Sequence, residues 1–424
     1  MISSQMGRNT RKLHQKESMK KINCWENVSL ISLCTIGLLG LLLRSKIVFS
    51  IPFINYNHLV EAHSRFTFSG WVTLALFVLM VKELLPGSEN KKKYNLLFGG
   101  ISITSWILLI VFLWKGYNAL SIVVSLVFIL LTYIFSYIFA RDISKANLSR
   151  GVRWLAVSST ICLVISSFGL FVIDYIYFSH SFEAFLYRDS LFTYLHFQYN
   201  GFFSLSIMAL LFHSINAVIP DSAKRSANNF IAVLLISLIP SLFLSYLWQD
   251  PNTSFRIIAI AGSIFVLAAC LLFVRTCFML KSTINTEKPV TRFLILISMG
   301  SFVLKLFLQC FTIFPVIGNA IFGNRPVIMG FLHLVFLGFV SLFILAFYAK
   351  RRILDDSKIV TRAGLIVFAL GVLLNEIFLI GQGLVTMFGP GSILLPWLLW
   401  AIAIWLFAGT VLIATARMKS KSVQ

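Results

Sequence analysis

Five of the seven histidines, His58, His63, His196, His213 and His333, fall inside strongly apolar stretches. An ionisable group at membrane depth is costly and marks function by default. Three of the five are regularly placed. His196 follows His63 by 133 residues, and His333 follows His196 by 137. A glycine comes soon after each: Gly70, Gly201 and Gly338, the last two at the same five-residue offset. Imidazole is a common ligand for haem iron and copper. Two imidazoles at one depth on different helices are suited to clamp a flat metal-bearing group, and glycine lets such a group or a second helix approach the backbone. The other reading is that each histidine bonds a backbone carbonyl in a polar gap.

The elements that position these residues follow from composition. The 424 residues are 58% hydrophobic and only 12% charged, with 41 Phe, and the mean hydropathy is +0.89. A soluble domain carries roughly twice that charged fraction. A soluble enzyme, a disordered chain and a disulfide scaffold are excluded, and no cysteine pair has metal-binding spacing. At about 20 apolar residues per span, twelve helices are predicted near 27–50, 58–85, 96–115, 117–140, 151–178, 188–218, 228–248, 255–281, 290–314, 325–349, 361–387 and 392–416. Pro86-Gly87, Pro220-Asp221, Asp250-Pro251 and Gly389-Pro390-Gly391 punctuate span ends. The strand alternation of a β-barrel is absent. The chain reads as an all-α polytopic membrane protein: a basic tail over 1–26, a twelve-helix domain over 27–416 and a second basic tail over 417–424.

The net charge of +21 encodes orientation rather than nucleic-acid binding. Eight of the 36 basic residues, Arg44, Lys46, Arg65, Lys115, Arg188, Arg256, Lys305 and Arg325, fall away from the face that carries the tails. The other 28 place both termini in the cytoplasm and favour anionic inner-leaflet lipid. The basic N-terminus reads as an uncleaved cytoplasmic tail. With this orientation the even-numbered helices run inward. His63, His196 and His333 then lie about 8–13 Å below the outer boundary, at 1.5 Å rise per residue. They divide the chain into three four-helix units, each with a histidine on its second helix.

The helix count, the shared side of the termini and the histidines on helices 2, 6 and 10 resemble subunit I of the haem-copper oxidase superfamily. The branch resembled most is that of nitric oxide reductases and nitric-oxide-response membrane proteins. The resemblance spans nearly the whole chain in topology. It implies a low-spin b-type haem held by His63 and His333, and a copper or non-haem iron ligand at His196. It also implies a bacterial cytoplasmic membrane, and respiratory membrane subunits or a cytochrome c as partners. The sequence departs from the family's oxygen-reducing centre. Phe331 stands where the family's helix 10 has a second histidine. Asn200 stands where an oxidase tyrosine is found, and helix 7 has no histidine. One histidine cannot hold copper in the three-histidine manner, so copper or non-haem iron is not expected. The arginine pair that meets haem propionates is missing from the helix 11–12 loop, and Arg65 or Arg325 is the substitute. If the chain is an enzyme it is an oxidoreductase, though ordinary oxygen reduction is not expected.

Lys305 and Glu376 lie near mid-bilayer and are candidates for a proton path or a buried ion pair. They support an alternative, a proton-coupled secondary transporter. A non-catalytic partner subunit of a respiratory complex is a third reading. The Gly381-Gln382-Gly383 element lies inside an apolar helix and reads as packing rather than a nucleotide loop.

Overall fold

The computed structural model describes residues 2–86, 91–181, 183–249, 252–318, 324–389 and 391–421. The long helices are α1 (Ile2–Val48), α2 (Tyr56–Leu84), α3 (Lys91–Lys115), α4 (Ala119–Ser144), α5 (Arg150–Ser179) and α6 (184–215). They continue with α7 (Asp221–Leu242), α8 (Thr253–Met279), α9 (Pro289–Phe311), α10 (Arg325–Lys350), α11 (Ile359–Phe388) and α12 (Leu394–Lys421). Among the described residues no strand occurs. Eleven of these helices are long and apolar enough to cross a bilayer. The remaining one, α6, carries His196, Gln198 and Asn200 in its middle. The chain is an integral multi-pass membrane protein.

Helix ends agree with the apolar spans to within a few residues, with one instructive exception at α7. Pro220, with extended backbone, caps α7, and the helix begins at Asp221. Its polar first turns belong to the helix although they lie outside the apolar stretch, because a helix need only be apolar where it meets lipid or core. The helix of α1 likewise starts at Ile2, well before the apolar span. Gly389 caps α11 in extended conformation. The breakers at Gly87, Asp250-Pro251 and Pro390 lie outside the described residues, as does the end of the C-terminal tail past Lys421.

Burial separates centre from rim. In α2, 78% of the most apolar window is buried, against 33% for α1, α4, α8 and α12. The run 200–210 of α6 and the run 338–349 of α10 are buried throughout. The three helices that carry the spaced histidines therefore form the interior, and the others surround them. Rim helices expose aliphatic and aromatic side chains such as Ile110, Trp114, Ile264 and Leu271, as a lipid-facing surface requires.

Ion pairs gather on the face that carries the start of the α1 span. Lys82 meets the fully buried Glu26 at 2.7 Å, and Arg417 lies 4.0 Å from the same carboxylate. Lys93 pairs with Asp142, Lys350 with Glu287, Lys288 with Asp356, and Arg351 with Glu83. On the opposite face Trp400 donates to Ser45 Oγ at 3.0 Å, and Tyr117 donates to Asp174. The structure thus brings both ends of the membrane domain to one face.

Candidate functional site

The three spaced histidines share a local structure that their spacing alone does not reveal. Each precedes a π-helical segment inside its helix: Thr67–Thr73 in α2, Phe197–Phe203 in α6 and Leu334–Ser341 in α10. A π-turn inserts a residue, widens the helix locally and is frequent at functional sites. Gly70, Gly201 and Gly338 all lie within these segments. Two of the glycines serve helix approach. A Cβ on Gly201 would sit 2.4 Å from Cys162 Cβ of α5, and one on Gly338 would sit 2.7 Å from Ser301 Oγ of α9.

His63 and His333 face a common region between α1, α2 and α10. They interact electrostatically with one another, and both interact with Arg44 of α1. A Cβ on Gly40 would lie 3.5 Å from His63 Cε1, so α1 runs alongside this ring. His333 Nδ1 donates to the Met329 carbonyl at 2.7 Å, one turn back on α10. That bond selects the tautomer whose Nε2 carries the free lone pair. His63 stands beside the Ile36 carbonyl of α1, and its Nδ1 is sealed from solvent without a hydrogen-bond partner. His333 therefore has a backbone carbonyl to orient it and one nitrogen left over, and His63 keeps its Nδ1 without a partner. Metal-bound histidines are held in this way.

His196 is different. It is fully buried, and both ring nitrogens are engaged. Nε2 donates to the Leu238 carbonyl of α7 at 2.8 Å, and Nδ1 accepts from the Asn200 amide at 3.0 Å. In this arrangement neither nitrogen of His196 keeps a lone pair for a metal. Leu238 lies in the last turns of α7, which contains Pro240 and passes into a 3-10 turn at Phe243.

Between these helices the interior is filled by rings. Phe68 of α2 lies 4.7 Å from Phe336 of α10 and 5.7 Å from Phe203 of α6, centre to centre, and Tyr194 stacks on Phe68 at 5.6 Å. Phe331 packs edge-on against Tyr199 at 5.9 Å. Among the described residues no group of three or more His, Cys, Asp or Glu is placed to hold a metal ion. A two-histidine site lies below that number.

The remaining candidates separate. Arg65 pairs with Glu61 at 3.4 Å and lies over the rings of Phe112 and Tyr117, with Asp174 nearby. It belongs to a cluster between α2, α3 and α5. Arg325 lies over the Tyr56 ring at 5.7 Å, and Arg44 also interacts with Tyr56. Arg44, one of the eight basic residues away from the tails' face, was not among the residues expected beside the histidines. Its signal was available, as a lone arginine near the end of an apolar span on the side where positive charge is scarce.

Lys305 and Glu376 are not joined by a salt bridge among the described residues, which corrects the expected buried pair. Glu376 accepts from its neighbour Asn375 at 3.2 Å. A Cβ on Gly383 would lie 2.8 Å from Val327, and one on Gly330 would lie 3.6 Å from Leu379. That antiparallel register puts Glu376 one turn further along, level with His333 and Leu334. The Lys305 ammonium lies instead toward α6, over the Tyr199 ring at 5.7 Å.

No protein-family model matches the chain, and no curated protein is similar to it at a level that marks a relative.

Proposed function

We propose that this is a haem-copper-oxidase-like membrane protein that binds one low-spin b-type haem between His63 and His333. The observation that carries the reading is the pair of imidazoles on α2 and α10, His333 held at Nδ1 by the Met329 carbonyl and His63 with a buried, unpartnered Nδ1. His63 and His333 would hold its iron. The Met329 carbonyl fixes the tautomer of His333, and Arg44 and Arg325 would supply positive charge for the two propionates. When bound, the iron of such a haem supplies reversible one-electron transfer.

The catalytic claim is smaller than in the oxidases. His196 is hydrogen-bonded at both nitrogens, Phe331 replaces a histidine, and Phe68, Phe203 and Phe336 fill the space between the helices. The role is electron transfer, or the binding or sensing of oxygen or nitric oxide, rather than ordinary oxygen reduction. The three π-turns behind three histidines support a chain of three four-helix units. The basic, ion-paired face supports cytoplasmic termini in a bacterial inner membrane. Respiratory subunits or a cytochrome c are the partners of this reading.

Purified protein supplied with haem is expected to give a bis-histidine b-type spectrum and a pyridine haemochrome at one haem per chain. His63→Ala and His333→Ala should each abolish it, and His196→Ala should not. A haem-supplemented protein without Soret absorbance would overturn the reading. The buried, unpaired Glu376 favours proton-coupled transport as the second reading. Uptake lost in Glu376→Gln, by a protein that binds no haem, would select it.

A further inference from the structure

Lys305 of α9 is 1% exposed, yet among the described residues it makes no hydrogen bond and no ion pair. Its Nζ is not sealed, so the little surface that the residue keeps includes the ammonium. The walls around it are aromatic. The ring of Tyr199 lies 5.7 Å from Nζ and that of Phe302 5.5 Å, both within cation–π range. Ring faces stabilise a cation and offer nothing to a neutral amine. His196, which interacts electrostatically with Lys305, points both of its ring nitrogens elsewhere. A buried charge is ordinarily paired, and here no carboxylate supplies the partner.

One turn along the same helix is Gln309, 8% exposed, whose Oε1 is sealed without a hydrogen-bond partner. Residues four apart lie on one helix face, so Lys305 and Gln309 present a cation and an unsatisfied amide to the same strip of the interior. Rotation of the amide turns its NH2 toward that strip. Gln309 lies on the side of Phe311, the helix end opposite the face that carries the ion pairs, and the strip therefore leads outward from Lys305.

We propose that Lys305 and Gln309 form a binding site for a small monovalent inorganic anion, of halide or nitrite size, entering from the face opposite the termini. A single cation sets the charge at one. The small exposure of Lys305 sets the size and excludes a lipid headgroup. The apolar surroundings favour a weakly hydrated ion over a strongly hydrated carboxylate. The site is separate from His63 and His333, and haem binding is not needed for it.

The test uses full-length protein in a halide-free gluconate buffer, with bromide as the probe. The thermal midpoint of the wild type should rise saturably with bromide, while equal sodium gluconate leaves it unchanged. Lys305→Met should raise the half-saturating bromide concentration at least tenfold, and Gln309→Leu should weaken binding in the same direction. Lys305→Arg should keep the response. Should Lys305→Met fail to fold, Gln309→Leu makes the same comparison on a chain that retains the cation. The proposal is overturned if bromide gives no rise, if gluconate matches it, or if the variants respond as the wild type does. Haem content measured on the same samples keeps this outcome distinct from the fate of the haem reading.

Discussion

The indole N–H of Trp71 donates to Ser341 Oγ at 2.8 Å, and both residues are buried inside π-turns. This bond joins α2 to α10, the two helices that carry His63 and His333. It sets their separation at a level just beyond the imidazoles. Ser341→Ala leaves the indole donor unsatisfied in a buried site, at a cost of about 1–3 kcal/mol. The expected result is a lower thermal midpoint and weaker haem retention. A variant with unchanged haem affinity would show that the two helices are spaced by their apolar contacts alone.

Close approach at the central glycines predicts a graded series. Gly201→Ala drives a methyl into Cys162 at 2.4 Å and should destabilise by about 1–3 kcal/mol, the usual cost of overpacking. Cys162→Gly removes the opposing Cβ and should restore part of the loss. Gly300 has nothing within 4 Å of its ideal Cβ, so Gly300→Ala should stabilise by up to about 1 kcal/mol through helix propensity. Unfolding midpoints in a common detergent give the ranking.

Arg44 and Arg65 make opposite predictions for the haem site. Arg44 interacts with both histidines, whereas Arg65 is committed to Glu61 and the Tyr117 ring. A nearby positive charge favours the reduced, less positive iron. Arg44→Leu should therefore lower the midpoint potential, and Arg65→Leu should leave it in place. A redox titration followed at the Soret band separates the two.

Glu26 predicts a stability effect on the opposite face. Its carboxylate is fully buried between Lys82 and Arg417, and it ties the start of the α1 span to the ends of α2 and α12. Glu26→Gln strands the two cations and should cost about 2 kcal/mol. Lys82→Met should recover part of that loss in the double variant. A double-mutant cycle on thermal midpoints measures the coupling.

Much of the fold was legible because lipid imposes simple rules. Each span must be long, apolar and helical, so hydropathy and length locate it. The polar start of α7 was missed, since Asp221 and its neighbours are helical without being apolar. The shared placement of His63, His196 and His333 was legible from spacing and orientation. The difference between them was not. Whether an imidazole keeps a lone pair depends on which carbonyl or amide stands beside it. For His196 these are Leu238, 42 residues away, and Asn200, one turn on. For His63 it is the carbonyl of Ile36, whose side chain carries no polar signal.

The sequence by itself determined a polytopic all-helical membrane protein, the approximate ends of its helices, and three histidines at corresponding places on α2, α6 and α10. These follow from composition and periodicity, which act locally along the chain. The tertiary structure decided which of those histidines are left with a free nitrogen, that Arg44 rather than Arg65 accompanies them, and that Lys305 faces Tyr199 instead of Glu376. Helix faces toward lipid and toward protein are equally apolar, so the rotation of each helix about its axis is absent from the local pattern. Packing against neighbours sets that rotation, and the rotation selects which polar groups meet.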